Sequence, residues 1–333
     1  MLDVGLIGLG PEWENRYWPA LTKLKRRLRV RTVYTPVITH AEQIAAELDC
    51  DVSPGLMALL EREDVRAVLI LDTAWFSGVP AQFACQVGKP AFLAGRHAHR
   101  FPRFHELLRR AAETGVTLMP DFGHRYTPAM VRVRELIATR LGRPLTIAVE
   151  VVAPVALPAD NSPLSALARE VLAVAVDWCT CLVGTDPSAV RMGVAIEKGA
   201  ASDHRGASGG DGLLCELRVE FRVPAAGGAA AVACIRLAVG GKTSHPEPAF
   251  SSSSNGLCAR IGCVGGTAWI EGPHHVTWES GIDRSIETLI SDRPAAEVML
   301  DHFSRRVVGA LIPVPTLDDL CRAFEFVDTA LNK

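Results

Sequence analysis

The sequence predicts an α/β chain in two parts. The first is a doubly wound parallel sheet over residues 1–122. The second is an α+β domain over residues 123–333, built on an open, largely antiparallel sheet. Three observations predict this. Strands and helices alternate through the first part, and the strands are apolar throughout, as in a parallel sheet covered on both faces. Beyond about residue 188, strand-like segments follow one another without helices between them, which suggests antiparallel neighbours. A length of 333 residues suits two domains of about 100–200 residues each.

The elements follow in order. Residues 2–9 form a short apolar run ending in glycine. Residues 16–28 have helical spacing, with Tyr17, Leu21, Leu24 and Leu28 on one face. The β-branched stretch 29–34 reads as a strand and stops before Pro36. Residues 40–48 are helical, 51–54 make a break, and 55–63 are helical again. Residues 65–71 are a continuous apolar strand. A helix over 78–87, a strand over 90–94, a helix over 102–114 and a strand over 116–120 complete the first part. The second part opens with a helix near 127–141, a strand at 145–153 and a helix at 164–183 stopped by Gly184. Strands follow at 188–197, 213–223, 229–239, 257–264, 267–271 and 275–278. In 213–223, Leu217, Val219, Phe221 and Val223 alternate with Glu216, Arg218, Glu220 and Arg222, giving one apolar and one charged face. A last helical stretch runs from 295 to 331, broken near Pro313 and Pro315. Segments 199–212 and 240–256 are rich in Gly and Ser, and read either as surface loops or as a substrate lid.

Bulk properties narrow the function. A net charge of −2 implies neither a nucleic-acid partner nor an acidic membrane surface. No apolar run reaches the ~18 residues of a membrane helix. The nine cysteines form no CxxC pair, and most lie in apolar runs, as reduced core thiols do. That favours the cytoplasm. His97-x-His99 has no second ligand pair at zinc spacing, so no metal is expected.

The first strand runs into Gly8-Leu9-Gly10-Pro11-Glu12-Trp13. Two glycines after a strand permit a tight turn and close approach to a pyrophosphate, the opening of the dinucleotide fingerprint. The third glycine position holds Trp13, and Pro11 removes one backbone donor. A dinucleotide site and a structural turn both fit these residues.

VGLIGLG with WPAL, VGKPAFLAG, HRYTPAM, IGCVGGTAWIEG and the C-terminal stretch MLDHFSRRVVGALIPVPTLDDLCRAFEFVDTAL occur in an order and spacing that resemble the Gfo/Idh/MocA oxidoreductases, over nearly the whole chain. The resemblance implies a Rossmann domain followed by a substrate and oligomerisation domain, with C-terminal helices that can return to the first. It also implies NAD or NADP as cofactor, a sugar-like or other small hydroxy or carbonyl substrate, and a dimer or tetramer.

On the same resemblance Gly8, Gly10 and Trp13 face the cofactor. Thr35 stands where NAD binders end the second strand in a carboxylate. With Thr39 and His40 it could face a 2′-phosphate, which slightly favours NADP. Arg26 and Arg27 read as helix decoration. Asp72-Thr73-Ala74, followed by Ser77, replaces a Thr-Pro segment and places Asp72 near the cofactor.

The family's catalytic Lys position is Gly95, followed by Arg96, His97 and His99. Its catalytic His position is Val174, on a helix face that keeps Glu170 and Asp177. His124, Arg125 and Tyr126 open the second domain. The catalytic candidates are therefore His97, His99, His124, Tyr126 and Asp177, and the substrate-binding candidates Arg96, Arg125 and Glu170. The alternative is a catalytically inactive relative that binds a small molecule or a partner.

Overall fold

The computed structural model describes residues 1–72, 78–95, 104–153, 165–197, 212–222, 230–239, 257–290 and 292–331. The chain divides into two compact units. Unit 1 joins Met1–Gly123 to Arg293–Cys321, and unit 2 joins His124–Asp292 to Arg322–Lys333.

Unit 1 holds a parallel sheet of β1 (Leu2–Ile7), β2 (Leu28–Tyr34), β3 (Asp51–Val52), β4 (Ala67–Ile70), β5 (Ala91–Leu93) and β6 (Leu118–Pro120). Its strand order is β3-β2-β1-β4-β5-β6, so the chain reverses direction across the sheet beside β1. Such a switch point is where open α/β sheets bind ligands, at the carboxyl ends of the strands. The uniform apolarity of these strands is explained by burial on both faces: Leu6, Val33, Leu69, Phe92 and Met119 are all fully buried. Each side chain of this size contributes about 1.5–3 kcal/mol when buried. Helices α2 (Ile38–Leu48), α3 (Leu56–Leu60), α4 (Val79–Gln86) and α5 (Phe104–Thr114) connect the strands. The late helix α8 (Ala295–Val307) also belongs here. Its Phe303 lies 6.0 Å from Phe92, centroid to centroid, and its buried Asp301 takes Arg27 Nε at 2.8 Å.

The first helix departs from the expected 16–28. A π-helical turn over Trp13–Tyr17 is followed by the short α1 (Trp18–Lys23). Tyr17 and Trp18 donate to carbonyls five residues back, on Glu12 and Trp13. Trp13 is buried and packs on Trp18, with ring centroids 5.6 Å apart. The wider turn accommodates an indole where the fingerprint has glycine. Leu28 is the first residue of β2 rather than the end of a helix. The break expected at 51–54 contains the two-residue strand β3, too short to show any alternation.

Unit 2 is built on a mixed sheet of eight strands. They are β7 (Pro144–Ala153), β8 (Pro187–Glu197), β9 (Gly212–Arg222), β10 (Ala230–Val239), β11 (Leu257–Cys263), β12 (Gly266–Glu271), β13 (His275–Ser280) and β14 (Asp283–Thr288), in the order β14-β13-β12-β11-β7-β10-β9-β8. The pairs are antiparallel except β7 with β10, which is parallel. Leu217, Val219 and Phe221 of β9 are fully buried, while Glu216, Arg218 and Arg222 are exposed. The apolar face packs in one core with α6 (Pro128–Leu136), α7 (Ala166–Val183) and α9 (Leu317–Leu331). Helix α6 stops short of 141, because residues 137–141 form a second π-helical turn. The loop segments 199–212 and 240–256 fall almost wholly outside the described residues.

Candidate functional site

Gly8 and Gly10 occupy left-handed backbone conformations, with φ of +68° and +44°. A Cβ on Gly8 would lie 2.7 Å from the Asp72 Cβ, and one on Gly10 would lie 2.5 Å from the Leu71 carbonyl oxygen. The loop after β1 is therefore pressed onto the end of β4, at the carboxyl edge of the sheet. Both glycines are required by conformation and by contact. Asp72 is brought to this loop as expected and is half-buried. Gly95 follows β5 with φ of +88°.

Sequence reading missed a buried charge cluster beside this loop. Arg16, in the π-helical turn, donates to both oxygens of Asp121, Nη2 to Oδ1 at 2.9 Å and Nη1 to Oδ2. Nη1 also reaches Glu12 Oε2 at 2.9 Å and Tyr17 Oη at 3.0 Å. Tyr17 in turn donates to Asp121, as does the Gly123 N–H at 2.9 Å. Burial opposes the charge of Asp121. The Arg16 charge and then its hydrogen bonds, with those of Tyr17 and Gly123, outweigh it and hold the carboxyl below the usual range. Burial, foremost, holds the Tyr17 phenol well above its ordinary value, so it stays a donor. The local signal was Glu12 and Arg16 at i,i+4; the acid 105 residues away carried none.

At the end of β2, Thr35 follows the last strand residue, Tyr34. Thr39 and His40 lie in the first turn of α2, the former exposed and the latter half-buried. No carboxylate lies between Thr35 and His40.

A short 3-10 turn, Gly123–Tyr126, presents His124, Arg125 and Tyr126, the first residues of unit 2. Thr127 caps α6 directly after it, accepting from the Met130 N–H at 3.3 Å. Two of the three turn residues converge on Asp177 of α7. His124 Nε2 lies 2.6 Å from Asp177 Oδ2, Arg125 Nε donates to the same oxygen at 2.8 Å, and Arg125 Nη2 donates to Oδ1. The Asp177 side chain is 4% exposed. Burial opposes its charge, but the hydrogen bonds from Arg125 and then His124 hold it below the usual carboxylate range. An ionised carboxylate only accepts, so Nε2 carries the hydrogen and the imidazole is held in one tautomer. Arg125 spends a two-pronged contact on Asp177, so its charge is already compensated within the protein. Glu170 is buried and Val174 half-buried on the same helix.

Arg96, His97, His99 and the stretch 73–77 lie outside the described residues. Among the described residues no group of three or more His, Cys, Asp or Glu is placed to hold a metal ion. Among the described residues no helix is long and apolar enough to cross a membrane.

No protein-family model matches the chain. A stretch of 119 residues is 29% identical to 2,7-anhydro-N-acetylneuraminate hydratase of Mediterraneibacter gnavus, covering 36% of this chain and 31% of that protein. The chain thus matches less than a third of that relative's length. Solved structures align over nearly the full chain. UDP-N-acetylglucosamine 3-dehydrogenase of Acidithiobacillus ferrooxidans aligns with a TM-score of 0.69 at 19% identity, over 99% of this chain and 97% of that one. A dehydrogenase of Chromobacterium violaceum gives 0.76 at 13% identity, over 100% and 95%. Biliverdin reductase of Synechocystis sp. PCC 6803, solved with biliverdin and NADP+, gives 0.67 at 16%, over 99% and 98%.

Proposed function

From the Gfo/Idh/MocA fold that this chain has, we propose that it is an NAD(P)-dependent oxidoreductase acting on a sugar-like or other small hydroxy or carbonyl compound. The observation that carries this reading is the pair Gly8 and Gly10, left-handed and pressed against Leu71 and Asp72 at the switch point of the sheet. A side chain at either position would push the loop off β4, so the tight turn that dinucleotide folds set beside a pyrophosphate needs glycine here. A bound nicotinamide would supply the hydride chemistry. Proton handling falls to the protein, and His124, oriented by Asp177, is the candidate for it. Arg125 fixes Asp177 rather than a substrate anion. NADP is favoured over NAD, because Thr35 leaves no carboxylate after β2 to repel a 2′-phosphate. Nine free thiols suit the reducing cytoplasm, and assembly through the charged sheet face of unit 2 as a dimer or tetramer goes with this reading.

A second reading, a ligand-binding protein without catalysis, is favoured by Gly95 and Val174, neither of which can move a proton. Titration of nicotinamide fluorescence with NADH and NADPH tests the first reading. Saturable binding of NADPH tighter than NADH is expected, and Thr35→Asp is expected to weaken NADPH more than NADH. Binding of neither nucleotide overturns the oxidoreductase reading. Binding of both, with no turnover of sugars or polyols and no change on His124→Ala, supports the second.

A further inference from the structure

Resting on the dinucleotide reading of the glycine loop, we propose that Arg16 is its positioning residue, acting through Asp121. The loop has two anchors. At its start Gly8 and Gly10 press on the end of β4. At its end the fingerprint would supply a third glycine packed closely against the sheet, and Trp13 stands there instead. The second anchor is the guanidinium. Arg16 joins the first turn to Asp121 just past β6, while the Tyr17 ring packs edge-on against Phe92 of β5 at 6.1 Å. The loop is thereby tied to the end of β4, to the middle of β5 and to the residue just past β6.

Three features point to a fixed geometry rather than a general surface ion pair. The Arg16 and Asp121 side chains are only 11% and 5% exposed. Asp121 is saturated by Arg16, Tyr17 and Gly123. Gly123 lets the guanidinium sit close: a Cβ there would lie 2.5 Å from Arg16 Nη2 and would displace it from this position. Arg16 is also the link to Glu12, the residue whose carbonyl accepts from both Arg16 and Tyr17 and so opens the π-helical turn. With Asp121 taking its charge, Arg16 holds the shape of the loop and leaves phosphate binding to the loop backbone.

A planar fork can serve Asp121, Glu12 and Tyr17 at once; an ammonium on a flexible stem cannot keep that geometry. Arg16→Lys keeps the charge and tests the geometry alone. Amide hydrogen exchange followed by mass spectrometry reads the loop with no ligand present. Peptides covering residues 9–17 are expected to exchange about tenfold faster or more in Arg16→Lys, the scale of one lost charge-assisted hydrogen bond. Peptides from β4 and β5 are expected to stay unchanged. NADPH affinity is expected to fall by a similar factor, with the NADPH-to-NADH ratio unchanged.

Asp121→Asn, which keeps the shape and loses the charge, is expected to show the same local signature. Unchanged exchange over residues 9–17 in both variants overturns the proposal. So does faster exchange spread evenly over unit 1, which would mark a merely structural pair. Local acceleration in a protein whose wild type binds neither nucleotide upholds Arg16 as the loop's anchor and sinks the dinucleotide reading instead.

Discussion

Gly10→Ala is expected to lower the melting temperature by roughly 5–15 °C and to abolish nucleotide binding. Two costs add. A left-handed alanine costs about 1–2 kcal/mol. The new methyl also meets the Leu71 carbonyl oxygen at 2.5 Å, and forcing an atom into a packed region costs about 1–3 kcal/mol more. In a domain of this size each 1 kcal/mol moves the transition by roughly 2–4 °C. Gly88, after α4, is the control. It has φ of +73° but nothing within 4 Å of an added Cβ, so Gly88→Ala carries the conformational cost alone. Thermal unfolding of both variants, with NADPH titration of each, separates clash from strain. A Gly10→Ala protein as stable as Gly88→Ala would show that the loop can lift off β4 freely.

Asp177→Ala is expected to cost about 3–5 kcal/mol, the usual effect of removing one partner of a buried ion pair. Arg125 and His124 would both lose their acceptor. Asp177→Asn, which keeps an oxygen to accept, is expected to cost less. The sign of the pH dependence follows from the lowered carboxyl. A group depressed by folding contributes its full stability above its unfolded value, 3.8, and that contribution is lost as pH falls through the folded value. Asp121 behaves alike. The wild type is therefore expected to lose stability steeply below about pH 4. The gap between wild type and Asp177→Asn is expected to narrow over the same range. Melting temperatures from pH 2 to pH 7 check both, and a constant gap would place the Asp177 effect in packing rather than charge.

The strand alternation, the two glycines and the apolar face of β9 were legible because each is written in neighbouring residues. The features that define the candidate site were less so. Asp121 lies 105 positions from Arg16, and Asp177 lies 53 from His124; nothing local in either sequence segment marks the pairing. Trp13 stands out in the sequence as an indole at the third glycine position, but the widened turn that holds it against Trp18 carries no local signal. Strand β14 escaped notice because Asp283, Arg284, Ser285, Ile286, Glu287 and Thr288 show no apolar alternation. Its Glu287 is held instead by Arg132 at 2.7 Å and by Trp278 Nε1 at 2.7 Å. The parallel pairing of β7 with β10 was equally hidden, since consecutive strands give no direction by themselves.

The return of α8 to unit 1 bears on how the chain is made. The first 123 residues leave the ribosome long before Arg293, about 170 residues later. At about 5–20 residues per second this is a delay on the order of 10–30 s. During that interval the parallel sheet can form, yet the side of Phe92 that Phe303 later covers is bare, and Arg27 waits for Asp301. A nascent chain released before residue 293 would carry an unfinished apolar surface, the kind that chaperones hold. Completion of unit 1 therefore waits until residues 293–321 have been made.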